Sequence, residues 1–175
     1  MSPGGHAGKW LEVDLTNDKI ETVKYDDKTL QQYFGGRGLS AKILWDKIGD
    51  KWSELDPLAP ESPLTVFTGP MTGIYPGSRI CINGKSPLSM GTVGSTASTE
   101  FANEIKQASY DGVTFVGKAD DPVFLLITDD GAEIRDASHL WGLNGEKTII
   151  KLNKEVKGEL KKRKPQIGLQ KESPG

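Results

Sequence analysis

The N-terminal segment alternates apolar and polar residues in two runs, and this pattern predicts a β-hairpin. The segment reads WLEVDLTNDKIETVKY, with Asn17 and Asp18 between the two runs. In a strand, successive side chains point to opposite faces, so each run has one apolar face to bury. A second hairpin is predicted where PVFLLIT and AEIRD flank the turn at residues 129–131.

Four other segments space their apolar residues as helices do. Asp26 or Asp27 can cap a short helix that runs to Phe34, and the glycines at residues 35–36 end it. The helix after them has one apolar stripe, formed by Leu39, Ile43, Leu44 and Ile48. Two further helices are predicted, from about residue 98 to 110 and from about residue 145 to 161.

Strands and helices therefore alternate along the chain, and two of the strand pairs are hairpins. Further strands are predicted at residues 64–68, 78–84 and 113–118. Because hairpins pair strands antiparallel, the pattern predicts an α+β fold with antiparallel sheets and helices packed outside, rather than a doubly wound parallel sheet. A length of 175 residues favours one domain.

The composition argues against several kinds of site. The one cysteine, Cys81, cannot form an internal disulfide, and an iron–sulfur cluster usually takes four thiolates. With only His6 and His139 beside it, the sequence does not support a zinc site. The longest apolar run, at residues 123–127, is far shorter than the ~20 residues of a membrane helix. The N-terminus has no secretory signal, so we expect a cytoplasmic protein.

The charge is unevenly distributed, although the net charge is only −2. Residues 147–175 carry nine Lys or Arg and three Glu, which leaves 13 basic and 21 acidic side chains in residues 1–146. The basic segment KGELKKRKP has no interleaved aromatic residues. This argues against nucleic-acid binding and favours a solvated helix end.

One glycine motif is similar to a nucleotide-binding loop, but its context differs. Gly36, Gly38 and Ala41 fit the pattern G-x-G-x-x-A. In dinucleotide-binding proteins a strand delivers this loop to a helix, whereas here a predicted helix precedes it. We interpret the motif as a turn between two helices, in which Arg37 is either solvated or paired with a carboxylate.

The segment STASTEFANEIKQ is a candidate binding site on the residues alone. It begins at Ser95 with small and hydroxyl residues and places them before a predicted helix. Either these side chains only cap the helix, or the free N–H groups at its start bind an anion such as phosphate. Arg79, at the start of a predicted strand, has forked donors suited to the same anion.

Several longer strings resemble one specific family in their order and spacing. They are YFGGRGLSAKILWDKI, DPLAPESPLTVFTGPMTG, GSRICINGKSPLSMG and EIKQASYDGVTFVGKADDPVFLLITDDGAEIRDASHLWG. They resemble the N-terminal domain of the tungsten-containing aldehyde:ferredoxin oxidoreductase family. The resemblance covers residues 8–168 and leaves a divergent tail at residues 169–175.

This resemblance implies an α+β domain made of two related halves, with sheets that face each other and helices outside. It also implies a tungsto- or molybdopterin cofactor, in which two pterin dithiolenes hold the metal. Members of the family oxidise aldehydes to carboxylates. Their electrons pass to ferredoxin through an iron–sulfur cluster that other domains carry.

The same resemblance implies which residues meet the cofactor. By position, the family's strand arginine falls on Arg79, and its small-residue loop falls on Thr96, Ala97 and Ser98. Similar proteins carry Asn and two glycines in this loop, and glycine lets a backbone approach a ligand closely. Here the glycines are missing and Glu100 adds a negative charge. The resemblance implies no catalytic residue and no metal ligand in this chain.

Two functions fit these observations. In the first, the chain is the cofactor-binding domain of an oxidoreductase, and the family's later segments are cut off or supplied by a separate chain. In the second, it is a truncated, non-catalytic paralogue that acts as a binding or scaffold module. Under either hypothesis, exposed sheet surface predicts self-association.

Overall fold

Strands and helices alternate through residues 4–74 and 77–160, which are the residues that the computed structural model describes. The strands are β1 (Lys9–Asp14), β2 (Lys19–Lys24), β3 (Leu64–Phe67), β4 (Arg79–Lys85), β5 (Thr92–Ser98), β6 (Gly112–Val116), β7 (Val123–Thr128) and β8 (Gly131–Asp136). The α-helices are α1 (Asp27–Tyr33), α2 (Gly36–Ile48), α3 (Phe101–Gln107) and α4 (Gly145–Leu160). Short 3-10 helices cover Gly49–Ser53 and Ser138–Leu140.

Six of these strands form one sheet in the order β2-β1-β6-β3-β4-β5, and β7 and β8 form a separate two-stranded sheet. In the six-stranded sheet only β1 and β6 pair parallel, with Leu11 opposite Val113. The other neighbours pair antiparallel. The predicted α+β fold with mainly antiparallel strands is confirmed, and the parallel pair is an addition that the sequence pattern did not predict.

Apolar clusters cover both faces of the six-stranded sheet. The first cluster, beneath α1 and α2, contains Trp10, Leu30, Leu39, Ile43 and Phe67. The second cluster, beneath α3 and the β7–β8 hairpin, contains Leu11, Val13, Ile105, Tyr110 and Val113. Consecutive strand residues point to opposite faces, which is why neighbours in β1 belong to different clusters.

Helices α1 and α2 follow the predicted pattern closely. The Asp26 carboxylate caps α1 by accepting a hydrogen bond of 2.8 Å from the Thr29 backbone N–H. Phe34 ends the helix with a φ of 53°, and Gly35, with a φ of 88°, turns the chain into α2. The predicted apolar stripe of α2 is buried at Leu39, Ile43, Leu44 and Ile48.

We expect Asp26→Asn to make the fold less sensitive to acid while keeping α1 capped. Hydrogen bonds from the backbone N–H and then the hydroxyl of Thr29 lower the pKa of Asp26 below its ordinary value of 3.8. A carboxyl whose pKa falls on folding stabilises the protein above the unfolded pKa. That contribution is lost as the pH falls through the folded pKa. Asn caps helices about as well as Asp and carries no charge.

Urea titrations of both proteins at neutral pH and near pH 3 measure this effect. The wild type should lose more stability between the two conditions than Asp26→Asn does. An equal loss in both proteins would contradict the role of the Asp26 charge. Near neutral pH the two proteins should differ little, since both residues cap the helix.

The described residues belong to two compact units. The larger unit contains the chain up to Asp120 together with Leu125–Ile134, and it holds the six-stranded sheet. The smaller unit contains Asp121–Phe124 and the chain from Arg135 onward, including α4. The predicted domain boundary at residue 168 and the tail at residues 169–175 lie outside the described residues.

Candidate functional site

Arg79 and two of the predicted binding residues lie side by side at one end of the β4–β5 pair. Arg79 is opposite Ser98, and Cys81 is opposite Thr96. Directly opposed residues of an antiparallel pair share a face, and so do residues two apart on one strand. Arg79, Thr96 and Ser98 therefore lie on one face, as a shared binding surface requires.

Ala97, the remaining predicted residue, lies on the other face of the strand pair. It is opposite Ile80, which is only 7% exposed. Because the side-chain direction alternates along a strand, Ala97 points away from the face that carries Arg79. Its side chain packs beside an apolar residue, so on this face it is a small neighbour of the core and not a ligand contact.

The prediction that Thr96, Ala97 and Ser98 form a loop is wrong. They end β5, an edge strand whose partner among the described strands is β4. Seven consecutive cross-strand pairs, from Arg79 opposite Ser98 to Lys85 opposite Thr92, hold β5 in register. Local chemistry was ambiguous, because Thr and Val favour strands whereas Gly and Ser favour turns. Pairing with β4 decides between them.

The helix after β5 is also shorter than predicted and is not capped by the hydroxyl residues. α3 covers Phe101–Gln107 and no side chain caps its start. Within the described part of the chain, the buried Thr99 hydroxyl has no hydrogen-bond partner. The helix-cap hypothesis for this segment is therefore wrong. The anion hypothesis now depends on Arg79 and the hydroxyls of β5, not on helix N–H groups.

The electrostatic setting of Arg79 favours an anion. Its side chain is exposed and forms no hydrogen bond or ion pair with any described residue. Neither β4 nor β5 contains a carboxylate, although Glu100 follows two residues after β5. An Arg guanidinium has five N–H donors and is always charged, so it suits the oxygens of a phosphate group.

A second arginine, which the sequence did not identify as a site residue, reaches the same strand pair. Arg37 Nη2 donates a hydrogen bond of 2.9 Å to the carbonyl oxygen of Gly94. Gly94 lies opposite Asn83. The interpretation of Arg37 as solvated or paired with a carboxylate is therefore corrected, because it binds a backbone carbonyl. These residues are 57 positions apart, and no local sequence signal marks the contact.

The glycine motif at the start of α2 is part of a helix–helix connection, as predicted. α2 begins at Gly36 and follows α1, and no strand delivers the motif. The Gly36 N–H donates to the carbonyl oxygen of Thr68 at 2.8 Å, which ties the connection to the end of β3. The motif therefore lacks the strand–loop–helix context of a dinucleotide site.

Cys81 is half-buried, although its strand pattern predicted a buried packing residue. Its Sγ lies 3.8 Å from Thr96 Oγ1. A Cβ at Gly36 would lie 3.3 Å from the same sulfur, so the start of α2 sits close above it. The thiol thus lies on the face that carries Arg79, between β5 and α2.

The other residues weighed from the sequence do not form a second site. His139, in the smaller unit, lies 2.8 Å from a Glu155 carboxylate oxygen of α4, which fits a structural role. Among the described residues, no group of three or more His, Cys, Asp or Glu side chains could hold a metal ion. No helix in the described ranges is both long and apolar enough to cross a membrane.

Comparison with known proteins gives consistent matches. The family model described as "Aldehyde ferredoxin oxidoreductase, N-terminal domain" matches residues 10–169. An "Aliphatic sulfonate oxidoreductase, WOR-like subunit" of Pyrococcus furiosus is 46% identical over 165 residues, which is 94% of this chain and 26% of that protein. A "Tungsten-containing aldehyde ferredoxin oxidoreductase" of the same organism is 35% identical over 157 residues, which is 89% of this chain and 26% of that protein.

A solved structure matches as well. It is described as the active site complex BamBC of benzoyl coenzyme A reductase in complex with 1,5-dienoyl-CoA. The match has a TM-score of 0.80 and 36% identity, and it covers 88% of this chain and 23% of that one. The chain thus spans about a quarter of the length of the proteins that it matches.

Proposed function

Because the chain belongs to the aldehyde ferredoxin oxidoreductase family, by its match to the N-terminal domain, we propose that it binds a tungstopterin cofactor. The observation that carries this proposal is the position of Arg79 opposite Ser98 at the exposed end of β4 and β5. The tungsten-containing relatives support tungsten as the metal. We therefore propose a role in aldehyde oxidation for the complete enzyme.

The residues present fit the phosphate groups of such a cofactor. Arg79 offers unpaired, forked donors, and Thr96 and Ser98 offer exposed hydroxyls on the same face. Charge-assisted hydrogen bonds from Arg to phosphate are stronger than neutral ones. The bound metal and its dithiolenes supply the redox chemistry, while these side chains bind and orient the anionic end. The missing glycines matter less on a strand, where side chains and not bare backbone face the ligand.

Electron transfer requires groups beyond this chain's own residues. The sequence has one cysteine, Cys81, whereas a cluster usually takes four thiolates. We propose that an iron–sulfur cluster on further domains, or on a separate chain, passes the electrons to ferredoxin. Self-association through exposed sheet surface and a cytoplasmic location belong to the same proposal.

A second candidate differs in substrate class. The relative named for aliphatic sulfonates is 46% identical to this chain, whereas the relatives named for aldehydes are 33–36% identical. That difference favours an aliphatic sulfonate as the alternative substrate of the complete enzyme. The cofactor-binding role of Arg79 is the same under both candidates.

A third candidate is a non-catalytic binding or scaffold module. It is favoured by Thr96, Ala97 and Ser98, which stand where the resemblance implies Asn and glycines, and by Glu100 beside them. This candidate predicts no affinity for the pterin cofactor. Binding measurements therefore separate it from the other two.

We expect Arg79→Ala to weaken binding of the pterin cofactor, or of an organic phosphate analogue, by about ten- to a hundredfold. The reason is the loss of charge-assisted hydrogen bonds that nothing else at this end of β4 replaces. Glu100→Gln should strengthen binding, because it removes a negative charge close to the phosphate. Titration calorimetry of the 175-residue chain measures both dissociation constants.

Lys24→Gln is the matched control, since it removes one exposed cation from β2, at the opposite edge of the sheet. It should leave the dissociation constant unchanged. If Arg79→Ala and Glu100→Gln also leave it unchanged, the phosphate-binding role of this face is wrong. If the wild type shows no affinity at all, the scaffold candidate is favoured instead.

A further inference from the structure

Two arginines without acidic partners lie along the same face of the β4–β5 pair. Arg79 is opposite Ser98, while Arg37 reaches Gly94, which is opposite Asn83. The two positions on β4 are four residues apart, or about 13 Å along a strand. Neither guanidinium forms an ion pair with a described residue. The face therefore carries two uncompensated positive charges at separate places.

The surroundings of Arg37 include an unsatisfied donor. Asn83 is 4% exposed, and its Nδ2 has no hydrogen-bond partner among the described residues. A buried polar group without a partner destabilises a fold, so such a group points to a missing acceptor. The Gly94 carbonyl satisfies one donor of Arg37 and does not balance its charge.

The shape at Gly94 brings these groups together. A Cβ at this position would lie 2.3 Å from Asn83 Oδ1 and 3.3 Å from Arg37 Nε. Glycine thus lets the Asn83 amide and the Arg37 guanidinium meet over the backbone of β5. The space that a side chain would fill borders donors from both residues.

We propose that Arg37, Asn83 and Gly94 form a second anion-binding subsite that takes a phosphate group. The assignment of that phosphate to the cofactor held by Arg79 rests on the proposed function. The subsite itself rests on the charge, the unsatisfied amide and the open space at Gly94. An extended ligand with two separated phosphate groups spans the face from Ser98 to Gly94. The Arg37 guanidinium supplies charge at one end and Arg79 at the other.

The arginine Nε–H signals in two-dimensional ¹H–¹⁵N NMR spectra test each subsite separately, with inorganic phosphate as the probe. Arg37→Gln and Arg79→Gln assign the two signals. In the wild-type chain, both signals should shift saturably with phosphate and should not shift with chloride at equal ionic strength. Arg37→Gln should abolish the response of its own subsite and leave that of Arg79.

Asn83→Asp and Arg37→Lys are the finer variants. A negative charge at residue 83 should weaken phosphate binding at Arg37 by about tenfold or more and leave Arg79 unaffected. Arg37→Lys keeps the charge and a donor to Gly94 but loses the fork. It is followed through the amide signal of Gly94, which should show weaker but measurable binding. Lys24→Gln should change neither subsite.

The outcomes separate this inference from the proposed function. If the Arg79 signal responds and the Arg37 signal does not, the second subsite is refuted and the proposed function stands. If only the Arg37 signal responds, the second subsite stands and the assignment of Arg79 fails. If chloride shifts the Arg37 signal as phosphate does, Arg37 only attracts ions without a built site, and the inference is overturned. The wild-type titration decides this even if a variant does not fold.

Discussion

Asp111→Asn is expected to lower the free energy of unfolding by about 3–5 kcal/mol, because it breaks a buried ion pair. The Asp111 and Lys106 side chains are 4% and 12% exposed, and Lys106 Nζ lies 2.6 Å from Asp111 Oδ1. Asn has nearly the same shape but no charge. The Lys106 ammonium then stays buried without a counter-charge, and that is costly in a low-dielectric interior.

The same carboxylate also holds the segment before β1. It accepts hydrogen bonds from the Ala7 N–H at 2.9 Å and the Gly8 N–H at 2.7 Å. Lys106 Nζ donates to the Gly5 carbonyl oxygen at 2.6 Å, so the ion pair binds this segment from both sides. The variant should therefore loosen the N-terminal segment as well as α3, which hydrogen exchange at Ala7 and Gly8 would report.

Urea denaturation measures the change in stability, and Asp18→Asn is the matched control. Asp18 is exposed in the turn between β1 and β2, at a φ of 50° that Asn also tolerates. This control should change stability by no more than about 0.5 kcal/mol. If Asp111→Asn costs less than about 1 kcal/mol, the ion pair is not the anchor that its geometry indicates.

Phe67→Ala is expected to cost about 3–5 kcal/mol, the usual range for emptying a buried aromatic position. Phe67 has no exposed surface and packs in the first cluster beneath α1 and α2. Its ring lies 6.3 Å from that of Trp10, centroid to centroid, at an angle of 55°. A Cβ at Gly112 would lie 2.5 Å from Phe67 Cδ1, so the backbone of β6 closes on the ring.

Phe101→Ala is the control for this substitution, because it deletes the same side chain where 43% of it is exposed. We expect it to cost less than half as much as Phe67→Ala, since the phenyl ring of Phe101 is only partly removed from water on folding. Similar losses for the two variants would show that the cluster around Phe67 is not the main core of the sheet. Thermal and urea unfolding should rank the two variants in the same order.

The resemblance found in the sequence located one part of the candidate site, and the structure located the other. Arg79 and Thr96 to Ser98 were identified by their order and spacing, and the strand register brings Arg79, Thr96 and Ser98 to one face. Ala97 was placed in the same set but points the other way, since a loop has no fixed alternation and a strand does. The contact of Arg37 with Gly94 had no sequence signal, because it joins two segments through a side chain and a backbone carbonyl.

The sequence by itself determined the elements whose signals are local. The two hairpins, the Asp26 cap and the apolar stripe of α2 follow from residue types within a few positions of each other. Only the tertiary structure decided that Ser95 to Ser98 extend as an edge strand, and that Asp111 anchors a segment 104 residues earlier. Local patterns are equally compatible with a loop or a turn at those places. Strand pairing and buried ion pairs stabilise one of the alternatives, and they exist only once distant parts of the chain have met.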